Sequence, residues 1–106
     1  MFFHQPGDYN AIITMCEGRL DADISTGNLF RQFHTLETMA FAALRMGQKE
    51  RAAAYLDQIE TQLGMPTSDD IKRMTEYYDY HTESQIQSML EDRLDSARQL
   101  LSLLRI

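Results

Sequence analysis

Apolar positions recur along this chain at spacings of three and four, and no stretch alternates apolar with polar long enough to predict a strand. Tyr9, Ile12, Ile13, Cys16 and Leu20 share one helical face, which predicts a first helix from Tyr9 to about Leu20, N-capped by Asp8 after Pro6-Gly7. Residues 21–27, rich in Asp, Ser and Thr, read as a loop in which side-chain oxygens bond the local backbone. A second helix, about Asn28 to Met46, sets Leu29, Phe33, Leu36, Ala40, Ala43 and Leu44 in one stripe, leaves Phe30 and Phe41 off it, and stops at Gly47. A third, about Lys49 to Leu63, turns Ala52, Tyr55, Leu56, Ile59 and Leu63 inward and stops at Gly64-Met65-Pro66. The turn between the second and third is so short that they must be antiparallel neighbours.

After Pro66, Thr67 or Ser68 can cap a helix whose first turn carries Asp69 and Asp70, the sign that the helix dipole favours. No Gly or Pro follows, so a helical pattern can run on to about Leu104, a length of about 50 Å at 1.5 Å per residue. That exceeds the diameter of a compact domain of this size, which predicts a break near Asp79-Tyr80-His81-Thr82 in preference to a projecting helix. Leu90, Leu94, Ala97, Leu101 and Leu104 repeat at spacings of four, three, four and three, the rhythm of a coiled-coil seam. The seam is short, because extending it backwards meets Gln87 and Glu83, and Leu100, Leu103 and Ile106 widen it into a band that suits a bundle core. The expectation is one all-α domain spanning residues 1–106, a small bundle of four to five helices with a long C-terminal helical segment.

Composition narrows the function. A chain of 106 residues is one domain's length, and 43% hydrophobic with 25% charged residues is the balance of a folded protein. Sixteen acids against ten bases leave a net charge of −6, which argues against direct nucleic-acid binding. No apolar run approaches the ~20 residues of a membrane span. The start at Met1 to Gly7 lacks both a basic n-region and an apolar h-region, so a cytoplasmic protein is expected. Cys16 stands alone, which excludes an intrachain disulfide and a Cys-x-x-Cys metal clip.

Leu36, Met39, Ala40, Ala43, Gly47, Ala52, Leu56 and Ile59 follow one another in the order and at the separations of the packing positions of a tetratricopeptide repeat, a helical hairpin of about 34 residues. Residues 36–66 thus resemble a single such TPR-like antiparallel hairpin, in which Ala40 and Ala52 would let the helices approach and Gly47 would form the turn. The family's signature Trp and Tyr positions hold Leu36 and Ala43, and Pro66 arrives about two residues late. A shift by one repeat length puts Asp70, Arg73 and Arg93 at apolar sites, so no second repeat follows. The resemblance implies a peptide-binding or chaperone-like adaptor without catalysis.

Candidate chemistry is sparse. Asp21-x-Asp23-x-Ser25 resembles the opening of an EF-hand loop, but Thr26 stands where Gly belongs and Gln32 where the bidentate Glu belongs. His4, His34 and His81 lie in separate segments without the spacing of a zinc pair, and His34 with Glu37 reads as a polar surface pair. Cys16 reads as a core thiol. No nucleophile elbow, phosphate loop or metalloprotease motif occurs, so no enzyme activity, cofactor or metal is expected.

The most unusual stretch lies between Arg73 and Arg93, where Glu76, Asp79, Glu83, Glu91 and Asp92 meet no basic residue and Tyr77, Tyr78 and Tyr80 are interleaved. Tyrosines suit interfaces and acids steer basic partners, while rings lying on the core beneath a solvated face would give the same pattern. Glu76, Tyr77, Tyr78, Asp79, Tyr80 and Glu83, with Leu90, Leu94, Leu101 and Leu104 of the seam, are the candidate partner-binding residues. The function expected is a protein–protein interaction module, a small chaperone or regulatory adaptor, that also forms a homodimer. The alternative is an acidic inhibitor or immunity-type protein whose carboxylates stand in for phosphates at a basic site of a nuclease or DNA-binding protein.

Overall fold

Five helices follow one another in the computed structural model, which describes residues 6–64 and 66–105: α1 (Pro6–Thr26), α2 (Leu29–Arg45), α3 (Lys49–Leu63), α4 (Ser68–Tyr77) and α5 (Glu83–Leu104). The fold is an all-α bundle, with no strand among the described residues. His4, Met65 and Ile106 lie outside them.

The first helix is longer at both ends than its apolar face suggests. Proline fits a first helical turn, where its missing N–H has no partner to lose, so α1 begins at Pro6 and Asp8 sits inside the first turn instead of capping it. The stretch read as a loop continues the helix to Thr26, because its hydroxyls turn back onto helical carbonyls: Ser25 donates to Asp21 O at 3.0 Å and Thr26 to Asp23 O at 3.1 Å. Gly27, at φ 73°, then ends the helix in a Schellman arrangement, with its N–H donating to Ile24 O and that of Asn28 to Asp23 O. Asn28 caps the next helix at once, its Oδ1 accepting from Arg31 N at 3.2 Å. The α1–α2 connection is therefore only two residues long.

The α2–α3 turn repeats this solution. Gly47, at φ 74°, donates to Leu44 O, and Gln48 N donates to Ala43 O at 2.9 Å. Reciprocal capping boxes start both remaining helices: Thr67 with Asp70 opens α4, and Thr82 with Gln85 opens α5. The C-terminal helical pattern breaks across residues 78–82, where expected, and His81 N donates to Tyr78 O within the bend.

The apolar stripe of α2 makes it the central element: α1 packs on one side of it, α3 and α5 on the other, and α4 lies along α5. Phe33, Leu36, Ala40, Ala43 and Ala52 are wholly buried, and Leu56, Ile59 and Leu63 join them from α3. Tyr55 and Leu44 reach the core only in part. Phe30, off the predicted stripe, is nonetheless buried, because Tyr78 meets its ring edge-on at 5.3 Å and the Arg93 guanidinium lies over it at 5.5 Å. Ile86, Leu90, Leu94 and Ala97 of α5 are buried too, so the first half of the leucine seam fills the chain's own core and is not a surface for a second copy. Leu101 and Leu104 are partly buried.

Leu94→Ala, at a site only 4% exposed, is expected to cost about 2–5 kcal/mol in urea denaturation, whereas Leu103→Ala, 64% exposed, should stay within about 0.5 kcal/mol of the parent.

Candidate interaction surfaces

Two regions of this bundle carry side chains that the core does not explain. The first is the corner between α4 and α5. Tyr80 is 97% exposed and Tyr77 48%, and Glu76, Asp79 and Glu83 are exposed beside them. The corner is held from within: the Tyr77 hydroxyl donates to Thr26 O at 2.9 Å, Leu29 N–H points at Met74 Sδ, and Tyr78 is turned inward onto Phe30 and His81. The tyrosines thus divide, with Tyr78 a packing residue and Tyr77 and Tyr80 facing water.

The acidic stretch divides as well. Glu91 lines a hollow with Gly64, Pro66, Ile71 and Gln87, while Asp92 lines another with Glu37, Met89 and Arg93. Neighbours in sequence, they lie on either side of the buried Leu90–Leu94 ridge. Only Glu76, Asp79 and Glu83 remain at the corner with the exposed rings. Of the leucine candidates, Leu90 and Leu94 are interior, Leu101 is partly covered, and Leu104 borders a hollow with Lys49, Ala53 and Asp57.

The second region surrounds the end of α1. Arg19, Asp23, Arg31, His34 and Thr35 line an open depression of about 480 Å³. Asp23 is 3% exposed, and its Oδ2 accepts a hydrogen bond from the buried Thr35 hydroxyl at 2.8 Å. Its backbone carbonyl accepts from Asn28 N, Thr26 Oγ1 and Gln32 Nε2. This one residue ties the end of α1 to the start of α2. The arrangement removes the calcium-loop likeness, since Asp21, Asp23 and Ser25 are helical, with Ser25 bonded to a helix carbonyl and Asp23 turned inward. No three His, Cys, Asp or Glu side chains gather in a metal-holding group among the described residues. Glu37 faces Arg93 at 3.7 Å instead of pairing with His34. His81 is half-buried, with a buried Nδ1 that has no protein partner.

Cys16 is buried on α1 near Arg19 and Asp23. Burial raises its thiol pKa most, Arg19 acts the other way, and Asp23 adds to the rise. The protonated form is thereby favoured, which suits a core residue and not a nucleophile.

No helix of the described residues is long and apolar enough to cross a membrane. Comparison of the chain with family models, curated proteins and solved structures finds no match. The tetratricopeptide likeness of residues 36–66 therefore rests on its residue pattern alone.

Two outcomes follow from this geometry. Thr35→Val should cost about 1–3 kcal/mol in thermal or urea unfolding, because it leaves a buried carboxylate oxygen without its donor. Cys16 should resist a thiol-reactive dye in the native protein at neutral pH and react promptly once denaturant is added.

Proposed function

We propose that this chain is a non-catalytic protein-interaction module, an adaptor or small chaperone, that engages another protein through the α4–α5 corner. The observation that carries this reading is Tyr80, a large ring left almost wholly in water at a bend that follows the Tyr78 N–H bond to Met74 O and leads into the Thr82 capping box of α5. Tyr77 adds a second ring, already oriented by its bond to Thr26 O, so little conformational freedom is lost on binding. Glu76, Asp79 and Glu83 supply negative charge that would draw in a basic partner and set its orientation. The α2–α3 hairpin, with Ala40 and Ala52 buried at its crossing, is the scaffold beneath, as the tetratricopeptide likeness implies. A cytoplasmic setting agrees with the single buried thiol.

The phosphate-mimic reading has less behind it. Divergence of Glu91 and Asp92 leaves three acids at the corner, a short row for imitating a nucleic-acid backbone. A homodimer built on the leucine seam would have to use what α5 leaves outside the core, namely Leu101, Leu103 and Leu104.

The test is affinity capture with mass spectrometry, using the parent chain and Tyr80→Ala side by side at several salt concentrations. A partner held by the parent should be depleted about tenfold by Tyr80→Ala, with the melting temperature unchanged. Undiminished capture by Tyr80→Ala overturns the reading, and binding that collapses steeply with salt favours the phosphate mimic. A 12.3 kDa species in light scattering at micromolar concentration sets the homodimer aside.

A further inference from the structure

The core of α2 leaves one strip of the helix bare. Arg31, His34, Thr38, Phe41 and Arg45 recur at spacings of three, four, three and four, and form a single outward stripe between α1 and α5. All are exposed except Thr38, which is half-buried. Arg19 of α1 borders the same depression as Arg31 and His34. The Asp23–Thr35 bond sets the register of the antiparallel pair, so that Met15, two turns before Asp23, comes level with Ala43, within the turn of α2 that also holds Phe41. Met15 and Phe41 are 65% and 52% exposed, two of the few large apolar side chains left in water.

The charges here run against those of the molecule. Among the described residues Arg19, Arg31 and Arg45 have no carboxylate at salt-bridge distance, as holds too for Lys49, Arg51, Lys72 and Arg73 elsewhere, whereas Arg93, Arg98 and Arg105 are paired. Glu17 and Asp21 sit on the other margin of α1, the side of Asn10, whose amide oxygen accepts from Arg51 of α3. Asp23 is buried and hydrogen-bonded, and Glu37 faces Arg93. Asp92 is the exposed acid nearest this face on α5, beside Arg93. A chain of net charge −6 thus presents one face of unpaired cations with apolar side chains set among them.

We propose that this α1–α2 face docks an acidic amphipathic helix of another protein. One carboxylate of that helix sits in the depression among Arg19, Arg31 and His34, and one bulky apolar side chain lies against Phe41 and Met15. His34 and Phe41 are seven positions apart, about 10 Å along the axis, so the docked helix carries its acidic and apolar anchors two turns apart. The net negative charge of the rest of the chain disfavours a nucleic acid as the occupant. The face shares no residue with the α4–α5 corner, so each stands or falls separately.

The test uses the full chain and a fluorescein-labelled helical peptide a few turns long, with Glu and Leu seven positions apart on one face, read by anisotropy. The parent should bind it, more weakly as salt is added, and Arg31→Glu and Phe41→Ala should each weaken binding about tenfold while leaving the melting curve in place. Tyr80→Ala should bind as the parent does, which separates this face from the corner. Absence of binding at millimolar peptide, equal binding of a peptide with Lys in place of Glu, or no loss in Arg31→Glu overturns the proposal. Stronger binding of a single-stranded RNA oligonucleotide also overturns it, as does parental self-association abolished by Arg31→Glu, which would give the face to a second copy.

Discussion

The helix α2 is apolar on two opposed sides, and the need to cover both organises the molecule. Ten of its 17 residues are buried. Toward α3 and α5 the contact is apolar, with Ala40, Ala43, Phe33 and Leu36 of α2 and Ala52 of α3 all wholly buried. Toward α1 the contact is mixed. Gln32 and Thr35 are polar yet buried, and they are tolerable there because Asp23 accepts from both, through its carbonyl and its carboxylate. Apolar area holds both sides of α2, and the α1 side is also fixed in register by two side-chain hydrogen bonds to Asp23.

This asymmetry explains which elements were legible in the sequence. The limits of α2 and α3 follow from a wide apolar stripe punctuated by glycines, and both agree with the structure to within a residue or so. The end of α1 does not, because Asp, Ser and Thr carry the same short polar side chains whether they cap a loop or bond back to a helix carbonyl. What decides is Thr35, twelve residues from Asp23, and no local pattern exposes that pairing. The break between α4 and α5 follows from length alone, and the Thr82–Gln85 box is the local signal that fixes where α5 starts. At the corner, exposed tyrosines and acids were legible as a group, but the inward turn of Tyr78 depends on Phe30, far away in sequence. A leucine repeat likewise does not say whose core it enters. Phe41 stood out only as an apolar residue off the stripe, and its cationic neighbours became a set once α1 was in place.

Charge is sorted in a similar way. Arg98 holds Glu60 with two bonds at 2.8 and 2.9 Å, and Arg105 pairs with Asp57, so the C-terminal part of α5 is stitched to α3 by two neighbouring ion pairs. The hydrogen bond from Arg98 keeps the Glu60 carboxyl below its usual range, so this contact is fully present above the ordinary carboxylate range and fades as acid protonates Glu60. Such exposed pairs stabilise little; their effect is to align two helices. Arg93, Arg98 and Arg105 are thus paired with acids of other elements or their own, while Arg31 and Arg45 stand unpaired on the α2 stripe and Glu76, Asp79 and Glu83 gather at the α4–α5 corner.

The helix α4 differs from the others in how it is attached. It has ten residues, of which two, Ile71 and Met74, are buried, and its polar ties reach back to Leu29 and Thr26, 45 and 51 positions earlier. Contacts of that range close only after the intervening chain is ordered, while the turns of α1–α2 and α2–α3 close locally. A short element with few buried contacts is the part of a fold that opens at least cost. Tyr80 sits at the end of this element, so any protein that grips it also draws on the equilibrium by which α4 seats and unseats. Affinity at the corner and the local folding of α4 are then two readings of one linked free energy.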